Sequence, residues 1–349
     1  MVVARSSKDE FMTRPSVVRH TLVSVVIPAR DEEDTISACL TAVREQEYDA
    51  LQIIVVDGGS TDQTIEVVKA HMAEDERVEL LHNSCQIIPA ALNLAMHHLR
   101  GRWMVRIDAH STIDPSYVTR LVERLSENRW GGVGGRKIGV GKTPAGRAIA
   151  AVLESRFGVG NSTYHHGTAP REVEHIPFGA YPVDVIRRLG GWDERLVVNE
   201  DFEFDHRIRL AGMALLFDPQ IVINWHSRQS IRDLFRQYFR YGSGKVTVMA
   251  LHPESIKPRH LMPPAFVAYA AAAGALALWR PGRALAMLVP YAAALAVASA
   301  QTARKLDSAA SRVFVAPAFL SMHVAWGLGI WRGLPKAILI LVRSREGAH

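Results

Sequence analysis

Leu22-Val-Ser-Val-Val-Ile-Pro-Ala-Arg-Asp-Glu-Glu33 and Leu51-Gln-Ile-Ile-Val-Val-Asp-Gly-Gly-Ser-Thr-Asp62 share one plan. Each is a short apolar, β-branched run that halts, at Pro28 or at Asp57-Gly-Gly, and passes directly into polar residues. Such runs predict buried strands. Between them Ile36, Leu40 and Val43 recur at helical spacing. After Asp57, Ser60 and Gln63 have capping-box spacing, and Ile65, Val68 and Met72 fall on one helical face. Val78 to Leu81 reads as a third strand, and Pro89 opens a helix carrying Leu92, Ala95 and Leu99. Trp103 to Ile107 reads as a fourth strand. Pro115 opens a helix with Val118, Leu121, Val122 and Leu125 inward. Strands alternating with helices predict an α/β fold with a mainly parallel sheet covered on both faces.

In such sheets ligands bind outside the carboxyl ends of the strands. Three polar clusters fall there: Pro28-Ala-Arg-Asp-Glu-Glu33, Asp57-Gly-Gly-Ser-Thr-Asp62 and Asp108-Ala-His110. Asp57 can accept hydrogen bonds from a nucleobase or ribose, or it can simply belong to a turn capped by Ser60. The Gly-Lys-Ser/Thr element of a P-loop is missing. Asp108 and His110 can share a divalent cation; carboxylate oxygen suits Mg²⁺ or Mn²⁺, and imidazole tilts the choice toward Mn²⁺. The alternative is a surface turn without a metal. Glu200-Asp201 lies between apolar flanks, where partial burial raises a carboxylate toward useful base strength. Those acids would equally complement the dipole at a helix start. His226 follows the apolar run Ile221 to Ile223 and is either a structural histidine or a further metal or diphosphate contact.

The remainder of the chain has another character. The 349 residues carry a formal net charge of +6 and only two cysteines, Cys39 and Cys85. That excludes a disulfide scaffold and fits a reducing compartment. The mean hydropathy of +0.03 looks soluble but conceals two halves. From Pro263 to Ala303 only Arg280 and Arg283 are charged, and apolar runs cover about 265–279, 284–300 and 313–331. A membrane crossing needs about 20 apolar residues. The third run fits, while the first two, rich in alanine, sit at or below the limit. Three such runs flanked by Trp and Arg predict membrane association, against a buried helical hairpin as the alternative. Two crossings would leave Arg304, Lys305 and Arg312 beside a cytoplasmic catalytic domain, as the positive-inside rule prefers; a third would carry Arg332, Lys336, Arg343 and Arg345 across, so the number of spans stays open. Residues 1–20 carry charges and no apolar centre, which is not a secretory signal. From Ser230 to Tyr241 one helical face holds Ile231, Leu234, Phe235 and Tyr238, and Arg232, Arg236 and Arg240 line another. This fits a membrane interface or an ordinary packed helix. No nucleic-acid-binding motif accompanies the basic balance.

Val-Val-Ile-Pro-Ala-Arg-Asp-Glu-Glu33, Ile-Val-Val-Asp-Gly-Gly-Ser-Thr-Asp62, Arg-Ile-Asp-Ala-His110 and Asn-Glu-Asp-Phe-Glu203 occur in the order seen in family 2 glycosyltransferases, which this sequence resembles from about Val23 to Gly244. The resemblance implies a GT-A (Rossmann-like) domain over 22–250, after a tail at 1–21 and before a membrane-associated helical region at 251–349. Pro-Phe-Gly-Ala-Tyr181, Phe-Arg-Tyr-Gly242 and His-Pro253 are similar to the succinoglycan-biosynthesis glucosyltransferase branch. That branch implies transfer from UDP-glucose to a polyprenyl-diphosphate-linked glycan, at the cell inner membrane with a cytoplasmic catalytic domain.

By the same resemblance Pro28, Ala29, Arg30 and Glu32 form the nucleotide-contacting loop and Asp57 reads the uracil. Asp108 matches the first acid of the Asp-X-Asp metal motif, and His110 here replaces the last acid, so the resemblance does not carry over which ion is held. Asp201, with Glu200 before it, matches the general base. Gln237-Tyr-Phe-Arg-Tyr241 loosely resembles the Gln-X-X-Arg-Trp motif of processive synthases, but Tyr241 replaces the Trp and processivity does not follow. The rivals are a polyprenyl-phosphate glycosyltransferase and a catalytically silent nucleotide-sugar-binding assembly protein.

Overall fold

A computed structural model describes residues 20–346. The expected N-terminal tail lies almost wholly outside the described residues, as do the side chains of Arg343 and Arg345. In chain order the elements are β1 (Val23–Ala29), α1 (Ile36–Arg44), β2 (Leu51–Asp57), α2 (Thr64–Glu74), β3 (Val78–His82), α3 (Ile88–Met96), β4 (Trp103–Arg106), β5 (Ser111–Ile113) and α4 (Tyr117–Leu125). Next come β6 (Trp130–Val140), α5 (Pro144–Leu153), α6 (Arg156–Val159), α7 (Thr163–His166), β7 (Arg171–Val173), β8 (Ala180–Pro182), α8 (Val183–Arg188), α9 (Glu200–Leu210) and β9 (Ala214–His226). The last are α10 (Ile231–Leu251), α11 (Pro258–Ala277), α12 (Pro281–Ala303), α13 (Ala309–Arg312) and α14 (Val315–Glu346).

The chain forms two compact units. The first takes in the described residues up to Gly135, Pro170–Trp192 and Arg207–Ile223; the second takes in Arg136–Ala169, Asp193–His206 and the described residues from Asn224 on.

The sheet runs in the order β3-β2-β1-β4-β8-β6-β9-β5, with β7 paired to β9. The four strands legible in the sequence form its parallel half: β1 pairs with β2 and β4, and β2 with β3, all parallel. Every residue of β2 and β4 is buried, as expected for strands covered on both faces. Chain order reverses between β1 and β4, because β2 and β3 lie on one side of β1 and β4 on the other. A crevice at the carboxyl ends follows from such a reversal. Register places Asp57 beside Ala29 and Arg106 beside Val26, so the polar clusters begin at one edge of the sheet.

Helix α4 buries Val118, Leu121, Val122 and Leu125, as its periodicity requires. Helix α2 does not follow its expected face. It buries Thr64, Val68 and His71, while Met72 is 38% exposed. Polar contacts decide this rotation: His71 Nδ1 lies 2.7 Å from an Arg44 nitrogen and its Nε2 lies 3.1 Å from Ser37 Oγ.

Among the described residues of the second unit three helical stretches are long and apolar enough to cross a membrane: Pro258–Ala277, Pro281–Ala303 and Ala309–Val342. The first two exceed the lengths read from the sequence, because the helices continue through polar and proline residues at their ends. Only 17% and 11% of their apolar windows are buried, against 50% for the third. Leu261, Met262, Leu278, Trp279 and Leu285 are more than half exposed, an apolar surface of the kind lipid covers.

Candidate active site

The loops after β1 and β2 are stitched together. Gly58 N–H donates to the Ala29 carbonyl at 2.8 Å, and Glu32 N–H to Thr64 Oγ1 at 2.8 Å. Glu33 N–H donates to Asp62 Oδ2 at 3.1 Å, and Gln63 N–H returns a bond to Glu33 Oε2 at 2.9 Å. The expected capping box does not form. Ser60 Oγ instead accepts the Asp31 N–H at 3.0 Å, and Asp62 Oδ1 takes both the N–H and the hydroxyl of Thr64. These reciprocal bonds hold Pro28, Ala29, Arg30 and Glu32 as a fixed rim.

Asp57 is buried at the end of β2. Its carboxylate accepts the N–H groups of Gly59 at 2.9 Å and Ser60 at 3.1 Å, and His82 Nδ1 lies 3.3 Å away. Gly59 has φ +78°, which an L side chain rarely adopts. The carboxylate therefore shapes the turn. A carboxylate has about four acceptor positions, so these bonds do not exhaust it.

Asp108 and His110 follow β4. Asp108 Oδ1 lies 3.2 Å from Nε of Arg106, a buried guanidinium that also faces the Phe178 ring at 6.0 Å. His110 Nδ1 is 2.9 Å from Glu32 Oε1, and Glu32 Oε2 accepts the Thr35 hydroxyl at 2.6 Å. Glu32 thus joins the loop after β1 to the residue that departs from the Asp-X-Asp pattern. With Nδ1 as donor, the lone pair of the imidazole is on Nε2. A carboxylate behind a histidine is the arrangement that orients metal-bound imidazoles. The donor set of Asp108 and His110 therefore fits a divalent cation. Beneath them Cys39 Sγ contacts the Asp108 carbonyl at 3.7 Å; burial pushes this thiol well up, so it stays protonated and structural.

Arg106 was not singled out by the sequence. Its signal was present: a cation inside the otherwise apolar Trp-Met-Val-Arg-Ile107. A buried arginine needs a compensating anion, and Asp108 supplies one.

In the second unit Asn199, at φ 64°, turns the chain into α9, and its side-chain amide donates to the Tyr241 carbonyl at 3.2 Å. Glu200 is buried, and Asp201 Oδ1 accepts the Phe202 N–H at 2.7 Å. Lys245, also buried, places its ammonium 3.0 Å from the Phe202 ring centroid. The Tyr164 hydroxyl is pushed up by burial, and the Asp201 charge adds to this, so Asp201 lies within electrostatic reach of a proton-holding phenol. Gln237 is buried and donates to the Tyr241 hydroxyl at 3.0 Å, which places the departed Trp position in the packing of α10. His226 closes β9 and is partly buried. Arg228, Asp233, Phe235, Arg236, Phe239 and Arg240 line an open cleft at the start of α10.

The model of the family named Glycosyl transferase family 2 matches residues 24–167, and that of Glycosyl transferase family group 2 matches residues 103–343. The Succinoglycan biosynthesis protein ExoA of Rhizobium meliloti is 29% identical over 336 residues, which cover 94% of this chain and 97% of that protein. A dolichyl N-acetyl-alpha-D-glucosaminyl phosphate 3-beta-D-2,3-diacetamido-2,3-dideoxy-beta-D-glucuronosyltransferase of Methanococcus voltae is 24% identical, with 64% of this chain and 72% of that one covered. Among solved structures, a mannosyltransferase from Pyrobaculum calidifontis, in complex with GDP-Man and Mn²⁺, superposes with a TM-score of 0.65 at 21% identity over 90% of this chain and 87% of the other.

Proposed function

The chain belongs to glycosyl transferase family 2, and from that premise we propose that it is a membrane-associated inverting enzyme. It moves glucose from UDP-glucose to a polyprenyl-diphosphate-linked glycan during assembly of an exopolysaccharide. The observation that carries the donor assignment is the cluster at the carboxyl ends of β1, β2 and β4. There Asp57, Asp108 and the Glu32–His110 pair follow three neighbouring strands of a switch-point sheet, where such folds bind ligands. The similarity to a succinoglycan biosynthesis protein over nearly the full length supports the pathway class. The lipid-linked sugar in the name of the Methanococcus relative supports the acceptor class.

In this reading Pro28, Ala29, Arg30 and Glu32 seat the nucleotide and Asp57 reads its base. Asp108 and His110 would hold a divalent cation, Mn²⁺ or Mg²⁺, which when bound neutralises charge on the diphosphate. Arg106 holds the Asp108 carboxylate in place. Asp201, preceded by Glu200, accepts the proton of the acceptor hydroxyl. The oxygen forms its bond to the anomeric carbon as the bond to the nucleoside diphosphate breaks, and the configuration inverts from α to β. The basic cleft of Arg228, Arg236 and Arg240 suits the diphosphate of a lipid-linked acceptor, since guanidinium matches phosphate geometry. The catalytic region extends to about residue 250 and the apolar helices beyond it anchor the enzyme, with the active site on the cytoplasmic side of the inner membrane.

The test uses the full chain in lipid nanodiscs with labelled UDP-glucose and a diphosphate-linked acceptor. Asp201→Asn should lower turnover about 10²- to 10⁴-fold while UDP binding is retained. Near-normal turnover in that variant would remove the base assignment. Label appearing only on polyprenyl phosphate would replace the acceptor, and donor binding without turnover in the unaltered chain would make the protein a silent binder.

A further inference from the structure

Helix α9 and the turn that ends α10 bring together a second set of ligands, far from one another in sequence. His206 and Glu203 lie on α9, while His252 and Glu254 belong to the His-Pro-Glu turn before α11. His206 Nε2 lies 2.8 Å from Glu254 Oε1, and His252 Nδ1 lies 3.5 Å from the same oxygen. One ligand atom from each of His206, His252 and Glu254 falls within 4.8 Å of the others. The two imidazole rings are 5.0 Å apart, centroid to centroid.

The fourth residue decides the chemistry. Glu203, whose side chain is 2% exposed, has Oε1 3.0 Å from His252 Nε2. With Nε2–H donating its hydrogen bond to this buried carboxylate, the His252 lone pair is on Nδ1. That lone pair faces the Glu254 oxygen, and Glu254 is the carboxylate on which His206 Nε2 also converges. A lone pair and a carboxylate oxygen facing each other repel unless a proton or a metal ion stands between them, and the convergence of a second imidazole on the same oxygen favours the metal. We propose that His206, His252 and Glu254 bind a transition-metal ion of the zinc class, with Glu203 as the carboxylate that orients His252. Zinc bonds to N and O of about 2.0–2.1 Å, in tetrahedral geometry, put neighbouring ligand atoms roughly 3.3 Å apart. The separations of 2.8 and 3.5 Å lie on either side of that value. Two imidazoles and a carboxylate are zinc-class ligands, whereas an all-oxygen set would suit Mg²⁺. The ion pins α9, five residues beyond Asp201, to the turn that leads into the first apolar helix. It is distinct from the cation assigned to Asp108 and His110, and the inference does not depend on the sugar-transfer reading.

The test is a cobalt titration of the full chain in detergent, after chelator treatment and without nucleotide. Co²⁺ stands in for Zn²⁺ because tetrahedral Co²⁺ absorbs visibly. One equivalent should give a tetrahedral band that is lost in His252→Gln and in Glu254→Gln and kept in His110→Gln. Glu203→Gln should weaken binding about 10- to 100-fold. Glu254 has a side chain 52% exposed, so its replacement does not threaten the fold. The proposal is overturned by the absence of a tetrahedral band, by a band indifferent to both His252→Gln and Glu254→Gln, or by one that disappears in His110→Gln.

Discussion

Gly242→Ala should destabilise the protein, whereas Gly274→Ala should not. Both changes add one methyl group inside a helix, and both raise helix propensity by about 1 kcal/mol. Their surroundings differ. A Cβ on Gly242 would stand 2.3 Å from the Trp326 carbonyl oxygen and 3.2 Å from the Ile330 nitrogen, while one on Gly274 would meet nothing within 4 Å. The atoms opposing Gly242 are backbone of α14, so no side chain can swing aside. Ordinary contact begins near 3.4 Å, so the two helices must part by about 1.1 Å. That opens the seam of Val246, Ala250, Ile330 and Ala337. Overpacking of this kind costs about 1–3 kcal/mol. The difference between the two variants isolates the clash, because the propensity gain cancels. Gly329 belongs to the same crossing: its added Cβ would lie 2.2 Å from the Phe239 carbonyl oxygen and 3.1 Å from the Gly242 Cα. Once one substitution has parted the helices, the second should cost less than its own single effect. Denaturation followed by tryptophan fluorescence, with Trp326 at the seam, measures the three single variants and the Gly242/Gly329 double variant against the unaltered chain. Equal shifts in Gly242→Ala and Gly274→Ala, or strict additivity with Gly329→Ala, would refute a close backbone crossing.

Two further outcomes follow from the polar contacts. Glu32→Gln removes the carboxylate behind His110 and should raise the Mn²⁺ concentration for half-maximal turnover about 10- to 100-fold; an unchanged Mn²⁺ titration would show that Glu32 does not orient a ligand. Asp75 is held well below the usual carboxylate range, first by its bonds to Arg77 and then by Arg44. A depressed carboxylate stabilises the fold above its ordinary pKa and loses that contribution as pH falls through the folded value. His71, pushed down by burial and by the Arg44 charge, acts in the same direction, since the unfolded chain takes up its proton first. Acid unfolding should therefore be shallower in Asp75→Asn, and a curve identical to that of the unaltered chain would exclude the linkage.

The parallel half of the sheet was legible because each strand is a local event: an apolar run, a polar stop and a helix of fixed period. The polar clusters assigned here to the donor were placed at the strand ends for the same reason, as their residues sit at those stops or just beyond them. What escaped was set by contacts across long separations. The face of α2 turned on His71 meeting Arg44, and Ser60 was drawn from its capping role by Asp31. Glu32 could be placed in a loop but not against His110, some eighty residues later. The histidine cluster needs α9 and the end of α10 to meet, which no periodicity encodes. The glycines at 242, 329 and 333 carry no signal of their own in the sequence. In the structure they are where backbones touch.

The three apolar helices are not equivalent, and this bears on how a lipid-linked acceptor would be met. The third buries half of its apolar window, largely along α10, the helix that also carries Arg236 and Arg240 of the basic cleft. The first two leave more than four-fifths of theirs uncovered. A helix packed on protein along a glycine seam is a structural part of the unit that holds Asp201. Helices exposed on nearly every face owe their stability to an apolar surrounding instead. The division of labour is then physical: α14 fixes α10 and its cationic face, and α11 and α12, long and apolar enough to cross a membrane, are the parts that would hold the proposed enzyme at the lipid. The excess of basic residues is concentrated in this same unit, where a diphosphate at a membrane surface is the complementary charge.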